Sequence, residues 1–332
     1  MVDLVPFASA ALGWAGRLAK RGVIFTAAMA AIVFAQAFSG LSSQACAKTA
    51  ASGAALCRIH VVGAENFYQN IAAQIGGPYV RVQSVLSDPN IDPHEYEPTI
   101  SVAEEVAEAN LIIENGGGYD EWMNKLVAAS PKSGRIVLNA WSISPVKLPD
   151  NEHVWYSLED MKAVAGQIAE ALKKLCPSHA ARFDKNLKTF NQSMEAIGAR
   201  IGELAKRFGG TPIALTEPIF MYQAIPMGLK VSTPLEFQKA VAQGIEPPSS
   251  TMLIAQDQIR EKKVRVLVYN RQTADRFTAR LEELARTSGI AVVGVTETMP
   301  PGTTYQSWMM GQIEAIGSAL GSSKAVAGKG AR

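Results

Sequence analysis

The sequence predicts an α/β protein: two lobes with parallel-type sheets joined by one long rigid helix. Three observations carry this. Short apolar runs alternate with helical patterns from Arg58 to about Pro149, the same alternation resumes at Pro212, and an apolar stripe at helical spacing lies between the two stretches. Strands separated by helices imply parallel pairing, because a parallel connection needs a crossover rather than a tight hairpin.

The elements follow in order. Residues 59–62 read as the first strand and 65–75 as its helix, closed by Gly76-Gly77-Pro78. Residues 80–86 read as the second strand. Ser101-Val102-Ala103-Glu104 is a capping box, in which hydroxyl and carboxylate each satisfy an N–H of the first turn, so a helix is expected from Val102. Residues 111–113 form a short apolar strand, 122–129 a helix, and 136–138 close the set. Ser157-Leu158-Glu159-Asp160 resembles a second capping box, and its helix should stop before Pro177. Phe183, Leu187, Phe190, Met194, Ile197, Ile201 and Leu204 then recur at alternating spacings of 4 and 3. That is one face of a helix of about 30 residues, about 45 Å long, ended by Gly209-Gly210. Beyond it, 212–215, 264–269 and 291–295 read as strands, and 220–227, 251–262, 276–288 and 305–320 as helices. The expected domains are a lobe at 58–177, the linking helix at 178–208, a lobe at 211–320 and a disordered tail at 321–332.

The chain has 332 residues and a net charge of +2, with no basic run that would favour nucleic acid. Arg17, Lys20 and Arg21 precede an uncharged stretch from Gly22 to Ala47. Its densest apolar part, residues 23–34, has the length of a signal h-region, and Ala45-Cys46-Ala47 is an Ala-x-Ala cleavage candidate. Residues 1–47 therefore read as a signal peptide and the protein as periplasmic or otherwise extracytoplasmic. The apolar part is shorter than the ~20 residues that span a bilayer, which argues against a retained anchor. Ser43 and Gln44 fit a lipobox poorly, which argues against lipidation of Cys46. Export would place Cys57 and Cys176 in an oxidising compartment, where one disulfide is possible. No Cys-x-x-Cys spacing exists, so thiolate metal sites and thioredoxin chemistry are not expected.

The chain has four histidines. His60 lies within a strand and His179 at a helix start beside Pro177, and both read as structural. His94 and His153 each lie in a loop between a strand and a capped helix. In an open α/β sheet that position faces the ligand crevice at the carboxyl ends of the strands. Glu217 and Glu297 follow their own strands in the same way. Two imidazoles and two carboxylates suit a first-row divalent ion. Zinc accepts such a set at about 2.0–2.2 Å, and a carboxylate-rich set without sulfur shifts preference toward manganese or ferrous iron. No short ligand motif links the four, so spacing alone leaves open that each is a capping or loop residue.

Asp92-Pro93-His94-Glu95-Tyr96-Glu97-Pro98 resembles the Asp-Pro-His-x-Tyr-Glu-Pro signature of the metal-binding (zinc/manganese, ZnuA/TroA-like) solute-binding proteins of ABC importers. Glu65-Asn66-Phe67-Tyr68, the run from Asn115 to Met123, His153-Val154-Trp155, Phe220-Met221-Tyr222-Gln223-Ala224 with Gly228-Leu229, and the run from Tyr305 to Met310 fit the same family in order. The resemblance covers about residues 58–320. It implies two α/β lobes held by a rigid helix, with one manganese, zinc or ferrous ion as cargo in the cleft. His94 and His153 would be ligands from the first lobe, Glu217 and Glu297 from the second. It also implies an ABC permease as partner, a monomer, and no catalysis. Two departures stand out. Many zinc members have a histidine at the position of Glu217 where manganese members have glutamate, and Glu297 replaces the usual aspartate. No histidine-rich loop is present. Tyr96, Trp155 and Tyr222 are expected to wall the cleft, with Glu65, Asn66 and Asn270 as candidates to orient the imidazoles. Two other readings compete. One is a metallohydrolase with Glu297 as general base, although no His-Glu-x-x-His motif supports it; the other is a surface adhesin as a secondary role, although no adhesive repeat is present.

Overall fold

A computed structural model describes residues 57–322, apart from 89, 90, 92, 94, 95, 274 and 275. The signal segment expected at 1–47, Cys46, His94 and the tail beyond Ser322 lie outside the described residues. Strand β1 (Ile59–Glu65) is buried along its whole length, as an apolar run in a sheet covered on both faces must be. Helix α1 (Asn66–Gly76) carries the chain to β2 (Val80–Leu86), α2 (Ile100–Glu108) to β3 (Leu111–Glu114), and α3 (Glu121–Ala129) to β4 (Ile136–Asn139). All pairings are parallel and the sheet order is β2-β1-β3-β4.

After β4 come the single-turn α4 (Ala140–Ile143) and α5 (Leu158–Leu175). Ser157 caps α5 by accepting from the Asp160 N–H at 3.2 Å. The long helix α6 (Ala180–Phe208) buries every member of its apolar stripe except Leu187, which is half-buried. The second sheet repeats the first. Strands β5 (Pro212–Leu215), β6 (Lys230–Val231), β7 (Val266–Asn270) and β8 (Ala291–Val295) are all parallel, in the order β6-β5-β7-β8. Helices α7 (Met221–Ala224), α8 (Leu235–Ala242), α9 (Ser249–Arg260), α10 (Arg276–Thr287) and α11 (Tyr305–Ser322) complete the chain. In both sheets the first strand is flanked by the second and the third, so the chain reverses its direction of growth there. The crevice at the carboxyl ends of such strands is where open α/β sheets bind ligands.

The two sheets share one core, which runs through α1, α5, α6 and α11. Gly317 permits the close approach of α11 to α6, since a Cβ there would lie 2.9 Å from Leu204 Cδ2. A disulfide between Cys57 and Cys176, with Cα atoms 6.1 Å apart, ties the approach to β1 to the end of α5. Among the described residues no helix is long and apolar enough to cross a membrane.

Several elements differ from expectation. Helix α2 begins at Ile100, because the Ala103 N–H closes the first turn on Thr99 O at 3.1 Å. Ser101 thus lies inside the helix, its hydroxyl 2.9 Å from that of Thr99, and no capping box forms. The helix expected at 220–227 is a 3₁₀ turn at Pro218–Phe220 followed by α7, which ends before Pro226, a residue with no N–H to continue it. Strand β6 and helices α4 and α8 were not expected. Helix α11 continues through Gly321 and Ser322, where a disordered tail was expected to begin.

Candidate metal centre

The loops after β5 and β8 and the loop before α5 bring three of the four expected ligands together. A nitrogen of His153 and carboxylate oxygens of Glu217 and Glu297 lie within 4.8 Å of one another, all fully buried. A tetrahedral ion with bonds near 2.1 Å separates its donors by about 3.4 Å. A contraction of that order closes the set on an ion. The donors are imidazole and carboxylate, with no sulfur.

The imidazole is oriented before any ion arrives. Asn151 Nδ2 donates to Pro218 O at 2.9 Å, and a carbonyl can only accept, so the amide oxygen of Asn151 faces the other way. That oxygen lies 2.8 Å from His153 Nδ1 and accepts the His153 backbone N–H at 3.2 Å. Nδ1 therefore carries the proton, and Nε2 keeps the lone pair that a metal needs. Asn151 also connects the two halves, since Pro218 adjoins Glu217.

The carboxylates are fixed by one amide. Asn270 Nδ2, at the end of β7, donates to Glu217 Oε2 at 3.0 Å and to Glu297 Oε1 at 2.6 Å. Tyr119 OH donates to Glu297 Oε2 at 2.6 Å from the opposite lobe. The loop that presents Tyr119 turns sharply through Gly116, Gly117 and Gly118, all with φ between +67° and +93°. A Cβ at Gly116 would meet the Asn139 side chain at 2.2 Å. Asp120 holds this loop by accepting from the N–H groups of Asn115 and Gly116, both at 2.7 Å. Asn115 in turn donates to Glu152 O at 3.0 Å, beside His153.

His94 lies outside the described residues, but its flanks are held close to the site. Pro93 O accepts from Trp122 Nε1 at 3.3 Å, and Tyr96 packs edge-on against Trp122 at 4.9 Å. Gln272 Nε2 donates to Ile91 O at 3.0 Å, while its Oε1 accepts the backbone N–H of Glu297 at 2.7 Å. One side chain thus joins the loop that contains His94 to the backbone of Glu297.

Burial shapes the electrostatics of the cleft floor. Glu65 is fully buried, and its carboxyl is raised well above the usual range, first by burial and then by Asp120, Glu114 and Glu297. Burial pushes Asp120 up to about 6, against the two backbone N–H groups that favour its charge. Glu65, Glu114, Asp120 and Glu297 thus repel one another in a poorly solvated region, and a cation near them relieves that repulsion.

The residues expected around the ligands take different roles. Asn270 bridges the carboxylates rather than orienting an imidazole. Asn66 exchanges two hydrogen bonds with the Met299 backbone, at 2.8 and 2.9 Å, and so closes one lobe on the other. Among the described residues, Glu65 makes no hydrogen bond to an imidazole, and Asn151 orients His153 instead. Trp155 packs 5.0 Å from the His153 ring. Tyr222 lies behind the site, donating to Asn151 O at 2.9 Å. Asn151, Tyr119 and Gln272 had no assigned role. The first two fall in or beside segments quoted for the family resemblance, which was the only signal. His60 is structural as expected, with Nε2 2.8 Å from Gln83 Oε1.

The profile of the periplasmic zinc-uptake complex component A family (ZnuA) matches residues 61–319. The chain belongs to this family. The iron-binding protein YfeA of Yersinia pestis is 26% identical over 304 residues, covering 88% of this chain and 96% of that protein. The manganese ABC transporter substrate-binding lipoprotein PsaA of Streptococcus mitis is 27% identical over 221 residues, 61% of this chain and 67% of that protein. The periplasmic zinc-binding protein TroA of Treponema pallidum superposes with a TM-score of 0.69 at 19% identity, over 79% of this chain and 99% of that structure. This last likeness establishes the two-lobed fold with its long linking helix. ZnuA-family members are solute-binding components of metal ABC transporters, and the relatives above are named for iron, manganese and zinc.

Proposed function

We propose that this ZnuA-family chain captures one divalent transition metal ion between its lobes and delivers it to an ABC permease. His153, Glu217 and Glu297 are the ligands, with His94 as the fourth. The observation that carries the reading is the convergence of a lone-pair-bearing imidazole and two carboxylates, the latter bridged by a single amide across the ends of β5, β7 and β8. The lobes are residues 58–177 and 211–320, with 178–208 as the rigid link. The protein is exported and acts as a monomer. The hard donor set favours manganese or ferrous iron and accepts zinc. Hydrolysis is disfavoured by the same geometry, because Glu297 is held by Tyr119 and Asn270 and is not free to shuttle a proton.

Calorimetric titration with manganese, zinc and anaerobic ferrous ion from pH 5 to 8 tests this. Only neutral imidazole coordinates, so affinity should fall as pH is lowered. Isotherms that superimpose across the range would remove both histidines from the ligand set.

A further inference from the structure

A second group of metal-capable atoms surrounds the disulfide, away from the cleft. The Sγ atoms of Cys57 and Cys176 and a ring nitrogen of His179 lie within 4.8 Å of one another. Cys176 is buried, and Cys57 and His179 are half-buried. The 3₁₀ turn Pro177–His179, directly after α5, folds the imidazole back over the sulfur. The His179 N–H donates to Cys176 O at 3.2 Å, and Nδ1 lies 3.2 Å from Cys176 Sγ and 2.9 Å from Ser178 Oγ. The Tyr79 ring packs against the imidazole with centroids 3.9 Å apart, which holds it in place. The sequence signal is Cys176-Pro177-Ser178-His179, a Cys-x-x-His spacing rather than a Cys-x-x-Cys.

We propose that reduction of the Cys57–Cys176 disulfide opens a second metal site, in which the two thiolates and His179 Nδ1 bind a thiophilic ion of the zinc or cuprous type. A tetrahedral zinc with bonds of about 2.3 Å to sulfur and about 2.0 Å to nitrogen separates its donors by roughly 3.6–3.8 Å. The nitrogen is already near that distance from Cys176. The sulfurs must part from bonding distance, and a Cα separation of 6.1 Å allows this by side-chain rotation. Ser178 Oγ or water fills the fourth position. The chemistry balances. A dithiol or phosphine supplies two electrons, two protons convert the disulfide to two thiols, and the ion displaces those protons as it binds the thiolates. Reoxidation by a small-molecule disulfide, which takes up the two electrons and leaves as thiol, re-forms the Cys57–Cys176 bond and releases the ion. The corner thus exchanges a covalent tie between the approach to β1 and the end of α5 for a metal tie at the same place. It takes a softer ion than the sulfur-free cleft.

Cobalt titration of the full chain, oxidised and after phosphine reduction, tests this independently of the cleft. The reduced protein should bind one equivalent more than the oxidised protein, with a thiolate-to-cobalt charge-transfer band. Cys57→Ser/Cys176→Ser should remove that equivalent, and His179→Ala should weaken it at least about tenfold. An unchanged stoichiometry on reduction, or an extra equivalent that survives in the serine pair, would overturn the proposal. Should the serine pair not fold, alkylation of the reduced wild-type thiols decides. Zinc should slow their modification, and equal rates with and without zinc would sink the site. Loss of binding at the cleft alone would leave the cobalt band of the reduced corner intact, so the two readings fail separately.

Discussion

The cleft and the disulfide corner each gather three convergent ligand atoms, in opposite chemical settings. The cleft holds one imidazole and two carboxylates, fully buried; the imidazole donates to Asn151, and the carboxylates accept from Asn270 and Tyr119. The corner holds two sulfurs and one imidazole, partly exposed, with the sulfurs bonded to each other. On the proposed ligand set, the cleft takes a hard ion without a chemical step. The corner is closed by a covalent bond, and access to it depends on redox state. On the proposed readings, donor chemistry selects the ion in both regions, and only the corner needs a redox step first.

The largest expected effect separates the two directly. Glu217→Ala with Glu297→Ala should lower the affinity of the oxidised protein for divalent metal by at least about a thousandfold, about 4 kcal/mol, by calorimetry. The disulfide and its thermal contribution should be untouched. In the reverse experiment, Cys57→Ser with Cys176→Ser should cost about 2–4 kcal/mol of stability, since the bond closes a chain separation of 119 residues. Metal affinity at the cleft should stay within about threefold. A collapse of affinity in that variant would show that the regions are coupled.

The acidic floor gives the cleft lobe a pH signature. Asp120 is raised from 3.8 to about 6 by burial, so the folded chain holds this proton more tightly than the unfolded chain does. Stability from this group is therefore present below about pH 4 and is lost as pH rises to about 6. The full span is worth up to about 3 kcal/mol. Glu65, raised by burial and neighbouring carboxylates, acts with the same sign. Metal-free protein in chelator should melt higher at pH 5 than at pH 7, while metal affinity runs the other way. A higher melting temperature at pH 7 would show that these carboxyls do not set the balance. The smallest effect tests the amide bridge. Asn270→Ala should weaken metal binding about 10- to 100-fold without changing stoichiometry.

The fold was legible where the signal is local. The α6 stripe, the Ser157 cap and the apolar strand runs each announce themselves within a few turns of chain. Strand β6 has two residues, too few to show any period. The start of α8 did carry a signal, since Thr233-Pro234-Leu235-Glu236 has capping-box spacing ahead of the apolar face of Phe237, Ala240 and Val241. Glu217 and Glu297 were legible as residues that follow strands. That Asn270 binds both of them depends on β5, β7 and β8 lying side by side, which no single segment encodes. Tyr119 reaches Glu297 across 178 residues of sequence, and Cys57 reaches Cys176 across 119. Chain separation of that size carries no information about distance, so the disulfide stayed open until the fold placed its partners together.

His153, Glu217 and Glu297 are the proposed metal ligands. The most direct test is metal content by elemental mass spectrometry, on oxidised protein purified without chelator, wild type beside Glu217→Ala/Glu297→Ala. One equivalent of manganese, iron or zinc in the wild type and none in the variant is the predicted result. Equal metal in both, or none in the wild type even after titration, would remove these residues from the ligand set.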